Sequence, residues 1–341
     1  CIGLVLFACA VAEFWILPQK GGLPRAALLT GFVATPDTVI DGQTINALGF
    51  TGDAPAPTKP PNTVRILLLG SSTLFNRHLS EHLKTALQQR TDKKVELLDA
   101  GIRSHTSHAD VLKWQLLAQY QWDYVLFYDG INDLWANHVL PEDYRADYAH
   151  IDPWYRRNVW LDNSLLLRYG FNTSWHWLHQ LNRMAGEKWF PDYQFVFPKK
   201  PFVNAAQFAS LTAYRLNVET LLTQIEQHQA RPVLLTFAFH LPVNYSRKAF
   251  MDNTLDYHNP DNYDKRDVFN WGPPDYVREG LQQQNTIVRQ LALQHHVPLI
   301  DIDAQMSGKG FLFGDVCHFN DDGVAVFSSA VAQALFPSCC D

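Results

Sequence analysis

Apolar positions set the first reading of this chain. From Val64 onward, short continuous apolar runs alternate with stretches of helical spacing. VRILLLG (64–70) is apolar and ends in glycine, the pattern of a strand buried on both faces. VELLDAG (95–101), DYVLFYDG (123–130), RPVLLTFAF (231–239) and VPLIDID (297–303) repeat it, predicting five strands. Between them, Leu74, Leu79, Leu83 and Leu87 recur at helical spacing, and 109–120, 205–229, 275–296 and 322–336 also read as helices. Strands that do not alternate polar and apolar, separated by helices, imply a parallel sheet covered on both sides. The expected architecture is α/β, a three-layer α/β/α sandwich around a five-stranded parallel sheet. Ligands of such sheets bind beyond the carboxyl ends of the strands. Gly70-Ser71-Ser72, Asp99-Ala100-Gly101 and Asp129-Gly130-Ile131-Asn132-Asp133 close the first three strands and should converge on one edge.

Two stretches interrupt the pattern. Residues 134–204 form an aromatic-rich insertion with Trp135, Trp154, Trp160, Trp175, Trp177 and Trp189, in which 165–184 reads as helical. Residues 240–274 are rich in Asn, Asp, Tyr and Pro. Connections of this length in a compact domain are functional or carry elements of their own. Trp135, Trp154, Trp175 and Trp177 are the candidates to contact a substrate or partner; the alternative is a second hydrophobic cluster.

Ahead of the domain the chain differs. Residues 1–18 (CIGLVLFACAVAEFWILP) are apolar except for Glu13, at the short limit for a bilayer span. They read as a membrane-anchor helix, with a lipoprotein processed at Cys1 and a buried helix or signal-peptide remnant as alternatives. Residues 19–63, with Gly21, Gly22, Pro24 and APAPTKPPN at 54–62, read as a semi-rigid connector to a domain over 64–341.

Composition narrows the function classes. The 341 residues carry a net charge of −6 with no Lys/Arg cluster, which argues against nucleic acid. Five cysteines show no metal spacing and no disulfide framework. His105 and His108 lack a third ligand at a suitable spacing, and Asp261, Asp264 and Asp267 do not follow a calcium loop, so neither a metal nor a cofactor is expected. Asn172-Thr-Ser and Asn244-Tyr-Ser are formal glycosylation sequons.

Acyl transfer needs a nucleophile with a base, a carboxylate to orient that base, and donors for the oxyanion. Ser72 follows a strand and precedes a helix, where free N–H groups favour a developing negative charge. Its bland alternative is a helix cap. Gly101 ends the second strand and suits a backbone donor, or an ordinary turn. Asn132, in GIND after the third strand, offers an amide, or simply forms a turn. Asp315 and His318, three apart in GDVCHFNDDG, suit an orienting carboxylate and a base, although Asp315 is also a plausible cap.

Together these pieces resemble the SGNH (GDSL-like) hydrolase family over roughly 45–341, in the form of its membrane-anchored bacterial members. Leu69-Gly70-Ser71-Ser72-Thr73 matches the first block, Gly101 in DAGIRSHTS the second, Gly130-Ile131-Asn132-Asp133 the third and Asp315-Val-Cys-His318 the last. The resemblance implies a flavodoxin-like sheet and a triad of Ser72, His318 and Asp315. It also implies an oxyanion hole from the Ser72 and Gly101 N–H groups and the Asn132 amide. Ser71 stands where the family's signature has Asp, and is a rival nucleophile. The implied activity is carboxyl-ester hydrolysis, of an O-acyl or acetyl group on a glycan or lipid. Transfer of the acyl group to a second hydroxyl, or service as an accessory subunit to a membrane protein, are the alternatives. The family's habit, with the connector, implies a membrane-bound, extracytoplasmic domain, periplasmic in a Gram-negative bacterium.

Overall fold

The computed structural model describes residues 2–16, 33–34, 39–40, 42–76, 78–139, 141–148, 150, 164, 166–167, 208–259 and 265–337. The strands are β1 (Val39–Ile40), β2 (Gln43–Thr44), β3 (Thr51–Gly52), β4 (Thr63–Gly70), β5 (Lys94–Asp99), β6 (Tyr124–Tyr128), β7 (Arg231–Leu235) and β8 (Leu299–Ile300). The helices are α1 (Ile2–Val11), α2 (Leu79–Gln88), α3 (Ser107–Leu117), α4 (Ala209–Gln227), α5 (Arg247–Met251), α6 (Pro274–His295), α7 (Ile302–Met306) and α8 (Asp321–Leu335).

The main sheet has the order β3-β5-β4-β6-β7-β8. Five strands run parallel, and β3 joins β5 antiparallel at one edge. The sheet therefore has six strands, not five. The sixth comes from the expected connector, whose β3 is too short to show any periodicity. Around it, Ile45, Leu48 and Phe50 are buried, and the Asp53 carboxylate accepts the Leu97 N–H at 3.0 Å.

Strand β4 shows how the apolar runs fold. Ile66 and Leu68 pack with Leu79, Leu83 and Leu87 of α2 and Phe327 and Val331 of α8 on one face. Leu67 and Leu69 pack with Trp114 of α3 and Leu221 and Ile225 of α4 on the other. Alternate residues of a strand point to opposite faces, so a run buried on both sides must be apolar throughout.

Helix α1 continues as a π-helical turn over Ala12–Ile16. No helix among the described residues is long and apolar enough to cross a membrane, so the membrane-anchor reading gains no spanning segment. Glu13 is instead buried, accepting from Ser164 Oγ at 3.0 Å and Leu166 N at 2.7 Å. Leu4 and Trp15 stand 79% and 72% exposed. Cys1, most of the aromatic insertion, and with them Trp154, Trp175 and Trp177 lie outside the described residues.

Candidate active site

The carboxyl ends of β4, β5 and β6 do converge on one edge. Gly70, paired with Tyr128 across the ladder, turns the chain out of β4. A Cβ there would stand 2.2 Å from the Tyr128 carbonyl oxygen and 2.5 Å from Leu74 Cδ1. Only glycine lets the strand leave the sheet so close to its neighbour. Ser71 is fully buried, and Ser72 is half-buried.

Ser72 Oγ lies 3.0 Å from His318 Nε2. His318 Nδ1 lies 2.7 Å from Asp315 Oδ2 and 2.9 Å from Oδ1. The structure thus brings together Ser72, His318 and Asp315, and the hydroxyl that meets the imidazole is that of Ser72, not Ser71. Backbone donors hold the carboxylate in place: the N–H groups of Cys317 (2.9 Å), His318 (2.8 Å) and Arg266 (2.6 Å). A carboxylate so bonded cannot swing away from the ring. Asn76 closes the two halves of the site, donating through Nδ2 to the Phe319 carbonyl at 3.0 Å.

Electrostatics follow this geometry. Burial pushes the Asp315 carboxyl up, but the His318 charge and ring hydrogen bond, with the Cys317 and His318 N–H donors, outweigh it, and the carboxyl lies below its ordinary value. Burial pushes the His318 imidazole down, but the Asp315 charge prevails and holds it well above its usual range.

Asp315, Cys317 and His318 also bring three metal-ligating atom types within 4.8 Å of one another. Their chemistry suits a metal poorly. His318 Nδ1 is already given to Asp315, and burial pushes the Cys317 thiol up to about 11, which disfavours the thiolate a metal would need.

The expected oxyanion donors are placed differently. The Gly101 N–H donates to Asp99 Oδ1 at 2.8 Å, so it is turned into its own strand end. Gly101 answers to packing: a Cβ would stand 2.6 Å from Leu74 Cβ and 2.9 Å from the Ser71 carbonyl oxygen. Asn132 is fully buried. Its Nδ2 donates to the His105 carbonyl at 2.8 Å and its Oδ1 accepts from Trp271 Nε1 at 2.9 Å. An amide nitrogen carries two hydrogens, so one contact leaves a second donor.

Trp135 is a core residue rather than a surface contact. It is 8% exposed and stacks on Trp271 at 6.0 Å and 8°. Its Nε1 donates to the Asn270 carbonyl at 2.8 Å. It thereby fixes the turn carrying Asn132 against residues 268–271.

Sequence reasoning placed Asp99, Asp129 and Asp133 at this edge without foreseeing their burial, and missed Asp110 and Lys113 altogether. Asp99, Asp110, Lys113, Asp129 and Asp133 are all fully buried. Burial lifts Asp99 to about 6 and Asp133 to about 7. Burial, with the charges of Asp110 and Asp133, holds Asp129 well above the usual carboxylate range. Asp133 accepts from Ser107 N (3.0 Å), Ser107 Oγ (2.5 Å) and Tyr148 OH (2.8 Å), tying the start of α3 to the turn after β6. Beside the triad, an open cleft of about 680 Å³ lies at the ends of β7 and β8 and is lined by His240, Asp256, Arg278 and Asp303 among others. It adjoins the site through the His240 N–H, which donates to the Val316 carbonyl at 2.9 Å.

A mostly parallel α/β sheet with a serine, a histidine and an aspartate joined at its carboxyl edge is the layout of a serine hydrolase. The chain belongs to the GDSL-like lipase/acylhydrolase family, whose pattern it matches over residues 68–326. It is similar in structure to a lipase/acylhydrolase from Enterococcus faecalis, at 13% identity and a TM-score of 0.43, covering 80% of this chain and 95% of that one. An acetylxylan esterase from Geobacillus stearothermophilus shows 12% identity and a TM-score of 0.43, over 80% of this chain and 94% of that one. A GDSL-like lipase from Bacteroides thetaiotaomicron shows 11% identity and a TM-score of 0.40, over 80% and 87%. No curated protein matches the chain.

Proposed function

We propose that the chain hydrolyses carboxyl esters with Ser72 as nucleophile, His318 as general base and then acid, and Asp315 as the residue that orients the imidazole. The observation that carries this reading is the unbroken chain of contacts from Ser72 Oγ through His318 to Asp315, at 3.0 and 2.7 Å. Ser72 Oγ attacks the carbonyl carbon and its proton passes to His318 Nε2. The tetrahedral intermediate then expels the alcohol, which takes that proton. Water, deprotonated by the same nitrogen, attacks the acyl-enzyme and frees the acid and the serine. The Ser72 N–H and the second amide hydrogen of Asn132 are the oxyanion donors; Gly101 would join them only by releasing Asp99.

The substrate we infer is an O-acyl group, such as acetyl, on a glycan or lipid, on the strength of the tryptophans in 134–204. We place the domain outside the cytoplasm beside a membrane, which the exposed apolar surface of α1 would contact. Flotation with lipid vesicles, lost on removing residues 2–16, tests that placement.

The test of the chemistry is a fluorophosphonate probe, which reacts only with an activated serine. Labelling should map to Ser72, and S72A should lose both labelling and ester hydrolysis by roughly 10⁶-fold. A folded S72A chain that keeps its esterase activity would sink the mechanism.

A further inference from the structure

Helix α3 carries two charged residues beneath the triad that take no part in bond-making. Lys113 and Asp110 stand three apart on one face, both fully buried, with Lys113 Nζ 2.6 Å from Asp110 Oδ1. The same nitrogen donates to the Gly70 carbonyl at 2.5 Å and the Ala100 carbonyl at 2.8 Å. Two of the ammonium's three donors are thus given to backbone carbonyls, with the Asp110 carboxylate against it as an ion pair. The two carbonyls sit where adjacent strands leave the sheet: Ala100 N still donates to Leu68 O, and beyond that the ladder between β4 and β5 ends. Lys113 therefore holds the carbonyl of the residue two positions before Ser72, with Asp110 beside it as the counter-charge.

A buried ion pair is a poor stabiliser, because desolvation offsets the Coulomb attraction, and apolar residues of similar volume often do as well. What apolar residues cannot do is fix two carbonyl groups in direction. The remaining charges near the ammonium are Asp99, Asp129 and His105, whose ionisation it influences. Burial raises the carboxyls of both Asp110 and Asp129 and lowers His105, the Lys113 charge favours the ionised form of both carboxyls, and the 2.6 Å contact makes Asp110 the direct counter-ion.

We propose that Lys113 and Asp110 are positioning residues for the nucleophile: together they clamp Gly70 and the Ala100 carbonyl, so that Ser72 Oγ stays within reach of His318 Nε2. This inference rests on Ser72 being the nucleophile. It assigns to α3 the task of registering the turns after β4 and β5 against each other.

K113M and D110N in the full chain test it. The readouts are the rate of Ser72 labelling by a fluorophosphonate, and kcat and KM on p-nitrophenyl acetate, each scaled to the folded fraction by near-ultraviolet circular dichroism. The expected result is at least a tenfold fall in labelling rate and kcat in both variants, with KM within twofold. A clamp that served stability alone would lower the urea midpoint yet leave both rates per folded molecule within twofold, which overturns the proposal. If K113M does not fold, D110N decides by the same criterion, since it removes the carboxylate that holds the ammonium at the two carbonyls. Wild-type chain that is active but labelled elsewhere than Ser72 overturns the nucleophile assignment and the clamp with it, and so is distinguishable from failure of the clamp alone.

Discussion

At the scale of single residues, the proposed base His318 should set the pH behaviour. A histidine acts as a base only when neutral, and the Asp315 charge holds this one well above its usual value. Activity should therefore rise with pH, with the midpoint of the acid limb of kcat/KM above the ordinary value of about 6.5. D315N removes the charge that raises the imidazole, so the limb should move to lower pH. The maximal rate should meanwhile fall by roughly 10⁴-fold, as the ring loses its orienting acceptor. A pH–rate profile of both proteins checks this; a limb that stays in place would mean that Asp315 does not govern His318. Ser72, Asp315 and His318, which the structure brings into contact, were legible through the family's motifs in their order along the chain; taken singly, Ser72 and Asp315 read equally as caps. Gly101 was legible as a requirement for glycine but not as to why, since the cause is Leu74 and Ser71 pressing on it from another strand. The Asp110–Lys113 pair was invisible for a similar reason. On α3 alone it reads as an ordinary i,i+3 surface pair, and only tertiary packing puts both side chains at zero exposure.

At the scale of elements, the strands that carry the site were the most legible, because burial on both faces forces continuous apolar runs. Their ends were less so. VPLIDID yields a two-residue strand followed at once by α7, because Asp301 accepts the Ala304 N–H and caps a helix there. Similarly, the leucine periodicity beginning at Leu74 becomes helix only from Leu79. Residues 71–76 are spent on the turn that carries Ser72, where Leu74 and Phe75 donate their N–H groups to the Ser71 carbonyl. That turn depends on Gly70. G70A drives a methyl group into the Tyr128 carbonyl, a backbone atom held by the β4–β6 ladder that cannot move aside. The expected cost is about 3 kcal/mol, the upper end of overpacking effects. It should appear as a lower urea midpoint, with Ser72 labelling reduced in the molecules that remain folded. Unchanged stability would show that the strand end has more room than its contacts indicate.

At the scale of the whole molecule, the question is where the domain begins. Pro-rich sequence made residues 19–63 read as a spacer, yet part of that segment is structural. Lys59 pairs with Asp123 at 2.7 Å, and the Thr58 carbonyl accepts from the buried Arg65, whose Nε is bound to Glu96 at 2.7 Å. Phe50, 2% exposed, lies in the same cluster as Leu67, Leu69 and Trp114, against the sheet face that α3 and α4 cover. If residues 39–63 only tethered the domain, replacing Phe50 would change little. If they complete it, F50A should destabilise the entire domain by about 3–5 kcal/mol, the range for losing a buried phenylalanine. The loss should be cooperative, shifting the unfolding midpoint of the triad-bearing core rather than releasing a local segment. Denaturant unfolding followed by tryptophan fluorescence and by residual Ser72 labelling distinguishes these outcomes. Coincident, shifted transitions place β3 and its flanks within the hydrolase fold; a labelling midpoint identical to wild type would return them to the role of a spacer.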